Sequence, residues 1–261
     1  MVMDMAMLLC VVAHPDDETM LCGGTLARLA ARDVAVHILS LTRGEGGEAG
    51  EPPRCSRAEL GAVREQEMRC AVEKLGVRTL TFLGYVDPEV GPDDTLFAPE
   101  ANFDTLVGQI ADVIRRLGPG AALTHGSNGE YGHPAHKLTH AATKQAVISL
   151  PATMGRLAPP LYSFSAMYPG HPYPRLANAD DPAEAVVDVS AFLDQKEAAA
   201  LCHVTQNELF VRRRSQQAGR LITVREALLT EEAFHRQWPV APVENDPFLK
   251  WLDGEGVKRK A

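Results

Sequence analysis

The feature that most constrains the fold is an apolar run that ends in a cluster of charged side chains. Residues Met7 to Val12 (MLLCVV) form a continuous apolar stretch with the length of a buried strand. Residues 13–18 (AHPDDE) follow, and residues 21–31 then predict a helix. This order puts the polar loop at the carboxyl end of the strand, where open α/β sheets bind ligands. Three neighbouring carboxylates repel one another unless a cation or proton is shared, so the loop indicates a divalent metal.

The same alternation of strands and helices continues along the chain. The predicted strands are 7–12, 34–41, 79–83, 121–124, 161–164 and 185–189, and the predicted helices are 19–32, 57–75, 102–117, 137–150, 191–210 and 221–235. Residues 167–181 are proline-rich and predict irregular structure, and residues 254–261 predict a frayed end. The pattern predicts an α/β fold, with a Rossmann-like, mostly parallel sheet, helices on both faces and an extra C-terminal strand/helix segment. We expect a single domain over 1–261, with a core at 6–165 and an extension at 166–261.

Composition excludes several classes of partner. The net charge is −8 over 261 residues, so neither nucleic acid nor an anionic membrane is expected. No apolar stretch approaches the roughly 18 residues of a membrane span. The apolar start carries Asp4 and no basic region, which argues against a signal peptide. We expect a small-molecule substrate; a homo-oligomer remains an option.

Cysteine usage argues against a disulfide framework. The five cysteines are an odd number, they are widely spaced, and no Cys-x-x-Cys occurs. Cys10, Cys22, Cys70 and Cys202 lie in apolar patterns and are predicted to be core residues. A reducing, cytoplasmic location is therefore expected.

A second polar cluster follows the fourth predicted strand. It runs from His125 to His136 (HGSNGEYGHPAH), and parallel strands bring the two loops to one sheet edge. Imidazole and carboxylate without thiolate suit zinc, and also iron, manganese or nickel. One histidine and one carboxylate from the first loop, with one histidine from the second, would complete a catalytic set. If Asp17 binds the metal, Asp16 can act as general base, although these two roles could be reversed.

Several other side chains remain open to more than one interpretation. His125 and His140 are further ligand candidates, and we expect a supporting role for His140. Spacing on the helix over 57–75 favours an ion pair between Arg64 and Glu67, with a substrate contact by Arg64 as the alternative. The loops at 44–56 and 167–181 are expected to shape a pocket.

The two clusters carry a resemblance to a known family. The stretches AHPDDE, GGTLARLA and NGEYGHPAH resemble the PIG-L/LmbE-like family of zinc-dependent de-N-acetylases. The similarity extends through LTRGEGGE, VREQEMRCAVEKLGV, FLGYVD and KEAAALCHVTQ, to about Gln206. The paired histidine motifs are the specific part of this resemblance.

The resemblance implies roles for individual side chains. It implies one zinc ion held by His14, Asp17 and His136, with Asp16 as general base. It implies that His133 stabilises the oxyanion or protonates the leaving amine, and that Tyr131 assists at the carbonyl. Arg64 and Arg43 are predicted to bind substrate. The chain departs from the commonest family form at Ala135, where many members carry Asp, and at Gly126, where an acidic residue is frequent.

These observations favour a metal-dependent amide hydrolase that removes an N-acetyl group from an N-acetylglucosamine-type conjugate. One alternative is a non-catalytic metal- or ligand-binding protein of the same fold, which Ala135 keeps open. Another is an amidase that acts on a thiol-sugar conjugate. A dinucleotide-binding oxidoreductase is disfavoured because no G-x-G-x-x-G follows the first strand.

Overall fold

The computed structural model of the chain describes residues 6–150, 158–241 and 243–259. The strands are Met7–Val12 (β1), Ala35–Thr42 (β2), Thr79–Tyr85 (β3), Ala121–Thr124 (β4), Leu161–Phe164 (β5), Ala166–Met167 (β6), Asn178–Pro182 (β7), Ala185–Asp188 (β8), Glu231–Trp238 (β9) and Val257–Arg259 (β10). The helices are Asp17–Ala30 (α1), Leu60–Lys74 (α2), Phe103–Leu117 (α3), Pro134–Ser149 (α4), Leu193–Cys202 (α5), Asn207–Ala218 (α6), Val224–Ala227 (α7) and Pro247–Leu252 (α8).

Eight strands form one sheet in the order β10-β8-β9-β5-β4-β1-β2-β3. Strands β1 to β5 are parallel, whereas β9 runs antiparallel to β5 and β8, and β10 antiparallel to β8. The predicted fold class is confirmed. The chain leaves β1 towards β2 and β3 and later returns to β4 on the other side of β1. A crevice forms where the strand order reverses in this way, and it lies between the ends of β1 and β4.

Both faces of the sheet are covered, which explains the continuous apolar run of β1. Leu8, Cys10 and Val12 pack with residues of α1 and α2 in one core layer. Leu9 and Val11 pack with residues of α3 and α4 in the other layer. Successive side chains of a strand point to opposite faces, so a central strand with two covered faces must be apolar throughout.

Helix α1 is anchored to the C-terminal part of the sheet. The Glu232 carboxylate of β9 accepts hydrogen bonds from the backbone N–H groups of Gly24 (2.9 Å) and Thr25 (2.7 Å). The same carboxylate pairs with Lys196 Nζ at 2.6 Å, and both of these side chains are fully buried. Gly24 is required for close packing, because a Cβ atom there would overlap Val189. The helix that begins at the acidic cluster is therefore held by residues more than 160 positions downstream.

Four predictions for the C-terminal part are wrong. The predicted helix 191–210 is two helices, because the chain leaves α5 after Cys202 and buries the side chains of His203, Thr205 and Gln206 before α6 begins. The predicted helix 221–235 contains only the short α7, and its last residues belong to β9. The end predicted to be frayed contains β10. The segment predicted to be irregular contains the last residue of β6, a short 3-10 turn and most of β7.

The prediction of unpaired core cysteines is wrong for one pair. Cys70 of α2 and Cys202 of α5 form a disulfide, with Cα atoms 5.8 Å apart, whereas Cys10, Cys22 and Cys55 are free. The two bonded residues are 132 positions apart, so their proximity arises only when α5 packs on α2. Disulfides are rare in a reducing cytoplasm, and the cysteine pattern no longer supports that predicted location. Within the described residues, no helix has both the length and the apolar character needed to cross a membrane.

Candidate metal centre

The loops that follow β1 and β4 meet at the crevice, and they bring the predicted ligands together. Asp17, the first residue of α1, has Oδ2 3.4 Å from His14 Nδ1 and Oδ1 3.3 Å from His136 Nε2. The His14 and His136 rings have centroids 5.3 Å apart. Asp17 is buried and its pKa is held well below the usual value by the nearby His136 and His125, against the effect of burial. The two imidazoles therefore face the two oxygens of one ionised carboxylate.

In each of the two imidazoles, the ring nitrogen that faces away from Asp17 forms a hydrogen bond with a second carboxylate. His136 Nδ1 donates to Glu130 Oε2 at 2.6 Å, and His14 Nε2 donates to Asp87 Oδ1 at 3.1 Å. His136 Nε2 is buried and has no hydrogen-bond partner within the described part of the chain. An imidazole that donates one nitrogen to a carboxylate and leaves the other bare is the usual arrangement of a metal-ligating histidine. His14, Asp17 and His136 therefore fit a divalent metal.

In the described residues, the possible ligand atoms of two groups lie within 4.8 Å of one another. One group is His14, His133 and His136, and the other is Asp17, His125 and His136. His125 Nε2 accepts a hydrogen bond from the Ala13 N–H at 3.0 Å, and its Nδ1 donates to Glu130 at 3.1 Å. Both ring nitrogens are therefore used. Because a ligand needs a free lone pair, His125 supports the centre as a structural residue. His140 also has a supporting role, since its Nδ1 donates to the His125 carbonyl at 2.8 Å.

Asp16 lies beside this group and points elsewhere. Its backbone is left-handed (φ 103°, ψ −28°). Its carboxylate accepts from Arg64 Nη2 at 3.2 Å and is 15% exposed. Burial raises the pKa of Asp16 to about 6, and the charge of Arg64 opposes that rise. A carboxylate with this proton affinity can take and return a proton near neutral pH.

Arg64 is a buried residue that supports Asp16. Its Nη2 also donates to the Pro15 carbonyl at 2.6 Å, and its Nη1 donates to the Gly44 carbonyl at 2.9 Å. A Cβ at Gly44 would overlap the guanidinium, so the glycine-rich loop can wrap around it. The predicted Arg64–Glu67 ion pair is wrong, because Glu67 instead accepts from Thr205.

Arg43 lies in the same loop region but has other partners. Its guanidinium pairs with Glu65 and lies 5.4 Å from the centre of the Phe82 ring. Its predicted contact with substrate stays a prediction.

His133 and Tyr131 line the opening of the centre. His133 stacks on His136 with ring centroids 4.5 Å apart, and its Nδ1 accepts from the Ala135 N–H at 3.2 Å. The proton of the neutral ring is therefore on Nε2. Burial and the neighbouring His136 and His14 lower the pKa of His133 to about 3. Tyr131 is 53% exposed, and its ring lies edge-on, 5.6 Å from the His133 and His136 rings.

Two carboxylates of the centre were missed by sequence reasoning. Asp87 follows β3 and bonds His14, and Glu130 lies in the second histidine motif and bonds His136. Asp87 could have been found from its position just past a strand at the same sheet edge. Nothing in the spacing of Glu130 indicates which histidine it contacts.

Comparison with known proteins gives a consistent result. The family model described as GlcNAc-PI de-N-acetylase (PIG-L) matches residues 9–147. The 1D-myo-inositol 2-acetamido-2-deoxy-alpha-D-glucopyranoside deacetylase of Mycolicibacterium smegmatis is 35% identical over 234 residues, which are 76% of this chain and 79% of that protein.

Solved structures share the fold. The N,N'-diacetylchitobiose deacetylase from Pyrococcus horikoshii has a TM-score of 0.63 at 19% identity and covers 92% of this chain and 88% of its own. The 4-carboxy-2-hydroxymuconate hydratase from Pseudomonas putida has a TM-score of 0.61 at 24% identity and covers 92% and 99%. At these identities the likeness concerns the fold alone, and the fold hosts more than one reaction.

Proposed function

This chain belongs to the GlcNAc-PI de-N-acetylase (PIG-L) family, and we propose that it is a zinc-dependent hydrolase that releases acetate from an N-acetylglucosamine-type conjugate. The observation that carries the proposal is the geometry of His136. Its Nε2 is buried, lacks a hydrogen-bond partner in the described residues and faces the Asp17 carboxylate at 3.3 Å. A buried polar atom without a partner costs free energy, and a cation at this point removes that cost.

His14, Asp17 and His136 would hold the metal, and their nitrogen and oxygen donors suit zinc as well as iron, manganese or nickel. When bound, the metal would polarise the substrate carbonyl as a Lewis acid and make a nearby water more acidic. Three protein ligands leave a position open, as in catalytic zinc sites.

Asp16 is the proposed general base and general acid. Its carboxylate contacts Arg64, whereas that of the neighbouring Asp17 faces His136. We infer that Asp16 accepts the proton of the attacking water and then delivers it to the leaving nitrogen. Arg64 holds the Asp16 carboxylate in place through the contact at 3.2 Å. The pKa of about 6 suits both proton transfers.

His133 is the proposed donor to the oxyanion. Because its Nδ1 accepts from the Ala135 N–H, Nε2–H is free to donate. In this neutral form His133 stabilises the negative oxygen by a hydrogen bond. Delivery of the proton to the amine therefore falls to Asp16. Tyr131, at the rim, is placed to assist at the carbonyl.

The substrate class follows from the relatives. The M. smegmatis protein is named for a 2-acetamido-2-deoxy-glucopyranoside linked to inositol. We propose a substrate of the same class, a glycoside of N-acetylglucosamine, with the inositol conjugate as the first to test. An amidase that acts on a thiol-sugar conjugate would use the same residues on a different acyl amine.

The test is acetate release by the zinc-loaded full chain. Purified protein with one equivalent of Zn²⁺ is incubated with the inositol conjugate, with free N-acetylglucosamine and with N,N'-diacetylchitobiose. Acetate and the free amine are both quantified, and the Asp16→Asn variant serves as the inactive control. Equal amounts of acetate and amine are expected from at least one substrate. A protein that binds zinc but releases acetate from none of them would favour the non-catalytic alternative.

A further inference from the structure

Glu130 is the point at which the second histidine motif is held together. Its Oε2 accepts from the Nδ1 atoms of His136 (2.6 Å) and His125 (3.1 Å). Its Oε1 accepts from the Gly126 N–H (3.0 Å) and from Asn178 Nδ2 (3.1 Å). The Glu130 side chain is completely buried. Four donors from four different residues therefore converge on one carboxylate.

Only a carboxylate can satisfy this arrangement. Four lone pairs on two oxygens can accept from four donors, whereas an amide would turn its NH₂ group towards two of them. The proton of His125 is on Nδ1, because its Nε2 accepts from the Ala13 N–H. Since an ionised carboxylate only accepts, His136 likewise carries a proton on Nδ1, which leaves Nε2 as the nitrogen that can bind a metal.

The position of Glu130 is itself fixed by the surrounding backbone. Its φ of 57° is left-handed, and its N–H donates to Asn178 Oδ1 at 3.0 Å. Asn178, from β7, also donates to the Phe164 carbonyl at 3.2 Å. Gly126 allows this close approach, since a Cβ there would overlap the Asn178 amide. The Glu130 carboxylate thus has little freedom to move.

We propose that Glu130 is a positioning residue for metal binding, which fixes the tautomer and ring orientation of His136 so that Nε2 points at Asp17. Asp87 has the same relation to His14. Ala135, beside His136 in the motif, has no polar side chain, and the carboxylate comes instead from six residues before His136. The inference rests on the proposed function only in that His136 is a metal ligand.

The experiment compares metal affinity in Glu130→Gln and in the wild type. The dissociation constant for Zn²⁺ is measured on the purified full chain by competition with a chromogenic chelator. Loss of an outer carboxylate weakens metal binding by about 10- to 100-fold, and this range is expected here. If Glu130→Gln does not fold, Glu130→Asp keeps the charge but withdraws it by one methylene, and a smaller loss is expected.

Asp181→Asn is the matched control. Asp181 is a buried carboxylate that holds the same loop through Ser127 N–H (2.9 Å) and also accepts from Ser163 Oγ (2.8 Å). Its amide variant should lower the melting temperature but change the Zn²⁺ dissociation constant less than threefold. A comparable loss of affinity in both variants would mean that loop stability alone matters and would overturn the proposal.

A second readout needs no metal. In the metal-free wild type, nitrogen-15 NMR should show a His136 Nδ1–H protected from exchange by its bond to Glu130 at 2.6 Å, and in Glu130→Gln this protection should be lost. An unchanged Nδ1–H signal together with unchanged affinity would refute the role of Glu130. Acetate release by the wild type is scored separately, so failure of the proposed function leaves this result interpretable.

Discussion

Replacement of Asp16 by Asn tests whether Asp16 is the general base and the adjacent Asp17 the metal ligand. Asn is the appropriate substitution because Asp16 has a φ of 103°, a region that Asn tolerates. Ala at this position would add roughly 1–2 kcal/mol of backbone strain and confuse loss of folding with loss of chemistry. The amide oxygen of Asn can still accept from Arg64, so the loop around it should remain in place.

The expected effect is on the proton transfers alone. A positioned general base contributes typically 10²- to 10⁴-fold, so kcat should fall by about that factor. At 1.36 kcal/mol per tenfold, the loss is about 3–5 kcal/mol of transition-state stabilisation. The Zn²⁺ dissociation constant should change less than threefold, because His14, Asp17 and His136 are untouched.

The assay combines initial rates of acetate release with metal content after dialysis. A variant that keeps more than a tenth of wild-type kcat would refute Asp16 as the base. A variant that loses its zinc would show that Asp16 is a ligand and that the roles of Asp16 and Asp17 are reversed.

Four further substitutions probe the centre and its support. His136→Ala should lose the metal, and full occupancy by elemental analysis would identify another ligand. Arg64→Lys keeps the charge but loses the two guanidinium nitrogens that bond the Gly44 and Pro15 carbonyls. We therefore expect kcat to fall about tenfold with KM nearly constant. A rise in KM alone would support a substrate contact. Ala135→Asp would bury another carboxylate, so denaturant unfolding should show lower stability without a gain in kcat, and a faster enzyme would contradict this. Cys70→Ser should lower the free energy of unfolding by about 2–4 kcal/mol in urea, and an unchanged value would mean that the disulfide is absent in solution.

The central sheet was predictable because its strands carry local signals. Residues 7–12 are apolar on both faces, and residues 121–124 form strand β4 with the predicted bounds. The two polar loops were expected to converge because the carboxyl ends of parallel strands lie at the same edge of a sheet. The sequence therefore predicted which side chains meet, and His14, Asp17 and His136 do lie together.

The errors occur where distant contacts outweigh local preference. Residues 231–235 contain good helix formers, but β9 is a strand because it pairs with β5 on one side and β8 on the other. The chain breaks at His203 because its imidazole reaches Glu18 at 3.0 Å, 185 positions away. Glu130 is visible in the second histidine motif, but its hydrogen-bond partners depend on the loop conformation, which residue spacing does not predict.

The anchoring of α1 by Glu232 has a consequence for any attempt to shorten the protein. The match to the family model ends at residue 147, yet Glu232 and Lys196 lie beyond it, as does the histidine that bonds Glu18. A truncated chain ending there would contain every proposed metal ligand but would lack the side chains that hold α1 in place. We therefore expect such a minimal fragment to be catalytically incompetent, although it carries both histidine motifs.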